Sequence, residues 1–258
     1  MSPFALSQEG IKAALRAGGL GAGDTVLVHS ALLRLGLPEE PLSDLNAYYL
    51  QLLQEVVGPE GTLVFPAFSY SFCRKESFDP KSTPSTVSGL ANYCIAHHLG
   101  VRSADPIFSY VVLGAGAADL PPLSNICFDV QDSMYSWLLS RNAKYVMLGS
   151  GFFFTIWHSE EVLLHTPNRF IKAFPGTVVL DGSRVERTAY FHCRYNCSNT
   201  LRDHAKLEQF VAQQVQAGQM CQVPLGASHL TTCEIEPVCQ LYRHSLERDP
   251  WELLQGPA

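Results

Sequence analysis

Short apolar runs that alternate with helical stretches most constrain how this chain can fold. Four continuous apolar runs predict strands, at residues 25–29, 62–65, 110–113 and 145–148. Between them, apolar positions at helical spacing predict helices, at residues 7–17, 44–57, 87–98 and 133–140. Strands that are apolar at every position are buried on both faces. We therefore expect an α/β fold with a layered mixed sheet flanked by helices on both faces.

The C-terminal third has a different pattern. Extended segments at residues 177–180 and 185–193 flank the pair Asp181-Gly182, which is a strong hairpin-turn signal. Further elements follow as a helix, a strand and a helix, at residues 201–216, 222–225 and 232–248. We expect a C-terminal β-hairpin and helix extension. Because neither a flexible linker nor an internal repeat interrupts the pattern, we expect one domain over residues 1–258.

Composition limits the partners of the chain. Of the 258 residues 47% are hydrophobic and 16% are charged, and the formal net charge is -6 at pH 7. This balance argues against nucleic acid, since binding its phosphates needs clustered Lys and Arg, and it suits cationic or neutral small substrates. Because the sequence has no transmembrane run and its start has no signal-peptide pattern, we expect no membrane partner, a cytoplasmic location and reduced cysteines.

A histidine and a glutamate three residues apart form the first candidate catalytic pair. In the segment TIWHSEE, residues 155–161, a helix would place His158 and Glu161 on one face about one turn apart. The carboxylate would orient the ring, and the second ring nitrogen would stay free to accept a proton from an amine or hydroxyl. Taken alone, the same spacing also fits a histidine that only packs or caps a helix.

Five ordered blocks resemble the aminoglycoside 3-N-acetyltransferase family, also called the antibiotic N-acetyltransferases. They are GDTVLVHSAL at 23–32, GPEGTLVFP at 58–66, FDP at 78–80, RSxDPxxS at 102–109 and TxxHxxE at 155–161. The resemblance implies acetyl-CoA as donor and a primary amine as acceptor, joined directly in a ternary complex. It also implies that His158 is the base and that Glu161 orients it.

The resemblance also implies cofactor contacts. A turn that touches coenzyme A in the family corresponds to Ser30 and Leu32, with Ala31 in place of its second serine. The block at 102–109 lies at the cofactor cleft in the family, which indicates Ser103 and Ser109. Independently of the family, attack on a thioester builds negative charge on its oxygen, and Thr155 and the turn at residues 149–151 are candidate donors to it.

Departures from the family leave the acceptor open. Asp105 stands where a histidine is frequent, and the glycine-rich loop of many antibiotic-modifying members is replaced at residues 129–133. An amino sugar, free or nucleotide-linked, is therefore expected beside aminoglycosides. Candidate acceptor-binding residues are Phe68, Tyr70, Asp105 and Arg169. Acetylation of oxygen instead of nitrogen and a homodimer as the assembly also stay open.

Two other classes of function compete with acetyl transfer. A metal-dependent hydrolase would use His192, Cys193, Cys197 and His204, although their spacing is not that of a standard zinc site, and we expect no metal. A non-catalytic binding protein on the same fold is the third class. Coenzyme A binding would separate it from an enzyme.

Overall fold

A seven-stranded mixed sheet and a separate two-stranded hairpin organise the structure, a computed structural model that describes residues 6–151 and 154–256. The strands are β1 (Thr25–Ser30), β2 (Thr62–Pro66), β3 (Val101–Arg102), β4 (Tyr110–Gly114), β5 (Lys144–Leu148), β6 (Arg169–Leu180), β7 (Ser183–Arg194), β8 (Met220–Leu225) and β9 (Ser228–Glu234). The sheet order is β3-β4-β2-β1-β5-β9-β8, and β6 pairs with β7. Within the seven-stranded sheet, β1 pairs in parallel with β2 and β5, and the other pairings of the described strands are antiparallel.

Helices cover both faces of the sheet. They are α1 (Gln8–Ala17), α2 (Leu45–Val57), α3 (Gly89–Ala96), α4 (Met134–Ser140), α5 (Trp157–Leu163), α6 (His204–Gln216) and α7 (Ile235–Arg248). Residues of α1, α2 and α3 share one core with one face of the sheet, and residues of the other four helices share a second core with the opposite face. None of the helices in the described part of the chain has the length and hydrophobicity of a membrane-spanning helix.

The central strands are apolar throughout because each contributes to both cores. In β1, Leu27 packs into the core beside α5 and α7, whereas Val26 and Val28 pack into the core beside α1 and α2. Side chains alternate between the two faces of a strand, so a strand covered on both sides needs apolar residues at every position. This explains why continuous apolar runs, and not alternating ones, mark the sheet in the sequence.

The hairpin ends in the turn that its sequence predicts. Asp181 and Gly182 have φ angles of 48° and 81°, which is the geometry of a two-residue type I′ turn. The strands pair without interruption from Leu180 and Ser183 back to Arg169 and Arg194. The hairpin therefore carries its first and last residues to the base, next to α5.

The predicted fold class is confirmed, and three element boundaries differ from the prediction by three residues or more. The helix predicted from residue 201 begins at His204, directly after its N-cap Asp203. The helix predicted from residue 232 begins at Ile235, because Thr232 and Cys233 pair with β5 as the end of β9. A strand partner here outweighs the weak local helical signal. Strand β6 begins at Arg169 instead of residue 177. The sequence does not predict its first half because that half is largely exposed and its apolar residues do not alternate with polar ones. Residues 1–5, 152–153 and 257–258 of the predicted domain lie outside the described residues.

The end of β4 depends on a glycine. Gly114 has a φ of 109°, and a Cβ added there would lie 2.2 Å from the carbonyl oxygen of Gly61 on the adjoining chain segment. We expect Gly114→Ala to lower the free energy of unfolding by about 3 kcal/mol through backbone strain and steric overlap. Chemical denaturation checks this. The control is Gly21→Ala, whose new methyl group meets no atom within 4 Å; equal losses in both variants would contradict the assignment.

Candidate active site

Helix α5 is held rigidly by its aromatic face. Trp157 stacks on Tyr242 of α7 with ring centroids 4.1 Å apart, and on Phe154 at 4.4 Å. Trp157 is 1% exposed. Because Trp157 fixes the rotation of the helix, the positions of His158 and Glu161 relative to the sheet are fixed with it.

His158 and Glu161 form the pair that their spacing predicts. Nδ1 of His158 lies 2.6 Å from Oε2 of Glu161, and the His158 side chain is 27% exposed. Nη2 of Arg169 also lies 3.0 Å from Nδ1, but a guanidinium has only protons to donate. Since the carboxylate is the sole acceptor, Nδ1 carries the proton and donates it to Glu161. Nε2 is then the basic nitrogen, and it has no hydrogen bond to any described residue.

Glu161 is a buried carboxylate surrounded by donors. It is 1% exposed. Its Oε1 accepts from Nη2 of Arg202 at 3.0 Å and from the hydroxyl of Tyr242 at 2.9 Å. Its Oε2 lies 2.7 Å from Nε of Arg169, in addition to His158. Each oxygen therefore has two partners, by hydrogen bonds or ion pairing, and these contacts hold the carboxylate against the ring.

These charges set the protonation of the pair. Burial alone raises the pKa of Glu161, but Arg202 and the contact with His158 outweigh it and hold that pKa well below its ordinary value. Burial lowers the pKa of His158, and the charge of Arg169 lowers it further against the opposing effect of Glu161. Glu161 is thus ionised and the His158 ring is neutral at pH 7, the state that a general base requires.

A cavity of about 480 Å³ lies beside the His158 ring at the base of the hairpin, and we call it the hairpin-base cavity. Its lining residues include Thr155, Trp157, His158, Arg169, Arg194 and Arg202. Arg169 and Arg194 are the residues at which β6 begins and β7 ends. The hairpin therefore supplies one wall of this cavity and α5 supplies another.

A second cavity of about 430 Å³ lies where β1, β2 and β5 end, and we call it the strand-end cavity. Its lining residues include His29, Ser30, Ala31, Arg34, Gly151 and Thr155. Strand β1 lies between two parallel neighbours here, and crevices at this point of an α/β sheet are usual ligand sites. Thr155 lines both cavities, so the two are adjacent, with His158 in the wall of one of them.

Thr155 is held at the junction by two contacts. Its hydroxyl lies 3.2 Å from Nε2 of His29, and its backbone N–H donates to the hydroxyl of Tyr145 at 3.3 Å. Burial lowers the pKa of His29 to about 3, so this ring is neutral. The ring of His29 stacks on Tyr145 with centroids 5.2 Å apart, which fixes the position of both partners of Thr155.

The predicted cofactor residues are divided between cavity and core. Ser30 and Ala31 line the strand-end cavity, whereas the Leu32 side chain packs into the core beside α1 and α2. Ser103 lines a third cavity of about 240 Å³. Ser109 is fully buried, donates to the carbonyl of Ala67 at 2.8 Å and lines none of the three cavities.

The predicted acceptor residues are divided among three cavities. Phe68 and Tyr70 line the strand-end cavity, and Arg169 lines the hairpin-base cavity. Asp105 lines the third cavity, and its Oδ1 accepts from the backbone N–H groups of Ile107 and Phe108 at 2.7 and 2.8 Å. Of these four residues, only Arg169 is in contact with the His158–Glu161 pair.

The four residues proposed for a metal-dependent hydrolase do not form a metal-binding cluster. Among the described residues, no group of three or more His, Cys, Asp or Glu side chains is placed to hold a metal ion. His192 is buried and Cys197 is exposed. Cys193 and His204 line the hairpin-base cavity.

Sequence reasoning missed Arg202 and Tyr242, which complete the environment of Glu161. They lie 41 and 81 residues further along the chain, in no recognisable motif. Sequence reasoning offers one general rule here: a buried carboxylate must be paired with a positive charge, and arginine is its most suitable partner. That rule requires an arginine near Glu161 without saying which of the chain's arginines it is.

Known proteins resemble the chain over nearly its whole length. The family profile described as Aminoglycoside 3-N-acetyltransferase matches residues 27–247. Among solved structures, the binary complex of AAC-IIIb with CoASH has a TM-score of 0.77 and 22% identity, over 94% of this chain and 96% of that one. AAC-VIa bound to sisomicin has a TM-score of 0.77 and 19% identity, over 94% and 97%.

A third solved structure, the YokD protein from Bacillus subtilis, has a TM-score of 0.76 and 21% identity, over 96% of each chain. At these identities the structures show a shared fold. No protein with a curated description matches the chain.

The pairing of Glu161 predicts a large cost for neutralising it. Glu161→Gln would leave Arg169 and Arg202 without their buried counter-charge, and we expect the free energy of unfolding at pH 7 to fall by about 3 kcal/mol. Denaturant titration measures this. The control is Glu55→Gln, which breaks an exposed pair with Lys12 at 2.9 Å and should cost less than about 1 kcal/mol. Equal stability of the two variants would rule out a structural role for the charge.

Proposed function

Because the chain belongs to the aminoglycoside 3-N-acetyltransferase family, we propose that it transfers an acetyl group from acetyl-CoA to the primary amine of an amino sugar-type substrate. The transfer is direct, in a ternary complex, with His158 as general base and Glu161 as its orienting partner. The observation behind the proposal is that His158, paired with Glu161, lines a cavity that meets the strand-end cavity at Thr155.

The strand-end cavity suits the donor. Ser30 offers a hydroxyl, and the small residues Ala31 and Gly151 allow a ligand to approach the backbone. The guanidinium of Arg34 forms no ion pair with any described carboxylate, so it is available to a phosphate group. Acetyl-CoA would supply a thioester carbonyl as the electrophile. Its phosphates would then lie near Ser30 and Arg34.

The pair has the chemistry that the reaction needs. An alkylammonium group is not a nucleophile, so the acceptor nitrogen must lose a proton, and the neutral Nε2 of His158 takes it. After that first proton has passed to solvent, Nε2 takes a second proton from the nitrogen as the C–N bond forms. This proton passes to the thiolate as the C–S bond breaks, so the products are a neutral amide and a thiol. Glu161 stabilises the transient imidazolium through Nδ1.

Thr155 is suited to the oxyanion. Its backbone N–H is committed to Tyr145, so its hydroxyl is the group left to act. If Nε2 of the neutral His29 donates to the Thr155 oxygen, the hydroxyl proton is free to stabilise the negative charge on the thioester oxygen. The same arrangement serves a hydroxyl acceptor, so acceptor screens should include alcohols beside amines.

Loss of the proposed base should lower turnover without loss of donor binding. We expect His158→Ala to reduce kcat by about 10²-fold or more, because the variant lacks the nitrogen that takes the amine proton. Thiol release with acetyl-CoA and an amino sugar measures kcat, and calorimetry measures donor affinity. The control is His244→Ala, an exposed position on α7. An unchanged kcat in His158→Ala would refute the assignment.

The environment of His158 also predicts its titration. Because burial and Arg169 lower its pKa, the ring should protonate with a midpoint below the ordinary value of 6.5, and activity that depends on the neutral ring should persist at pH 6.5 and fall at lower pH. NMR titration of the histidine ring signals measures this, with the signal assigned by its loss in His158→Ala. A midpoint above 6.5 would show that Glu161 dominates and would overturn the predicted pH profile.

A further inference from the structure

The hairpin-base cavity presents cations to a ligand. Arg169, Arg194 and Arg202 line it, and none of the described residues in its wall is Asp or Glu. The carboxylate in contact with two of these arginines, Glu161, is 1% exposed and does not line the cavity. Three guanidinium charges against one carboxylate leave an excess of positive charge at this surface.

Arg194 is the arginine without a counter-charge. It lies directly opposite Arg169 in the hairpin register. Its Nη1 donates to the carbonyl oxygen of Thr200 at 3.4 Å, and it forms no ion pair with any described carboxylate. Like charges placed opposite each other on paired strands destabilise the pairing. An anion bound in the cavity would remove that repulsion.

Two buried polar groups of the same wall also lack partners. Among the described residues, the indole N–H of Trp157, which is 1% exposed, has no acceptor, and the amide oxygen of Asn168, which is 2% exposed, has no donor. A buried donor without an acceptor is costly, so Trp157 calls for an acceptor oxygen from a ligand. Turned about its last bond, the Asn168 amide offers N–H donors to the same ligand.

We infer that the hairpin-base cavity selects an amine that also carries an oxyanion, a phosphate or a carboxylate, and rejects polycationic amines such as aminoglycosides. The inference rests on the proposed acetyl transfer, since it concerns the acceptor of that reaction. Arg194 is the specificity-determining residue, because its charge is not used by Glu161. A planar guanidinium binds phosphate and carboxylate with paired N–H donors, and a polycation would meet like charge instead.

Four glucosamine derivatives test this with the reacting amine unchanged. They carry a phosphate, a carboxylate, a hydroxyl or a trimethylammonium group, which cannot itself be acetylated, at the sixth carbon. The value of kcat/KM is measured by thiol release at constant ionic strength. We expect at least a tenfold preference for one of the two anionic sugars over the hydroxyl sugar, and the lowest value for the ammonium sugar. The better of the two anionic sugars identifies the oxyanion. Equal or greater turnover of the ammonium sugar would overturn the inference and leave acetyl transfer intact.

A matched pair of variants locates the selectivity. Arg194→Gln should reduce the ratio of anionic to hydroxyl sugar about tenfold. Arg184→Gln removes the same charge from an exposed position on the same strand, outside the cavity, and should leave the ratio unchanged. If both variants lower the ratio equally, the preference comes from general charge and the role of Arg194 is wrong.

Failure of the proposed function is recognisable separately. It would appear as no thiol release with any of the four sugars and no thermal shift with acetyl-CoA. In that case calorimetry with the phosphate sugar decides the inference. Binding by the unaltered protein that weakens at least tenfold in Arg194→Gln supports it, and equal binding by both overturns it.

Discussion

The carboxylate of Glu161 is the interaction on which the site depends. A charge buried to this degree is tolerated only when it is paired and hydrogen-bonded. Glu161 meets that condition with four partners from four parts of the chain: His158 on its own helix, Arg169 at the start of β6, Arg202 before α6, and Tyr242 on α7. One carboxylate thus holds the His158 ring together with two arginines of the cavity wall.

The same pairing determines the electrostatics of the cavity. The arginines that neutralise Glu161 also line the hairpin-base cavity, and Arg194 adds there a positive charge that Glu161 does not neutralise. The formal net charge of -6 favours cationic or neutral substrates, but the net charge of the whole chain does not determine the charge of one cavity. Local charge close to the reacting group outweighs the distant charges, which salt screens.

Sequence reasoning predicts the parts of this site that are local. The strands around β1 and the His158–Glu161 spacing follow from apolar runs and from helical geometry within a few residues. The contacts of Arg202 and Tyr242 with Glu161 arise only when distant segments pack, so no pattern in the chain indicates them. The exposed first half of β6 is also not predictable from a local pattern, because its strand conformation depends on pairing with β7.

The thiol of the hairpin-base cavity bears on how the acetyl group moves. Among the described residues that line this cavity, Cys193 is the one thiol, and it is the side chain best suited to a covalent acyl intermediate. Burial raises its pKa above the ordinary thiol value, so it stays protonated and weakly nucleophilic at neutral pH. The proposed base His158, which lines the same cavity, is therefore better used on an incoming amine, and this supports the proposed direct transfer.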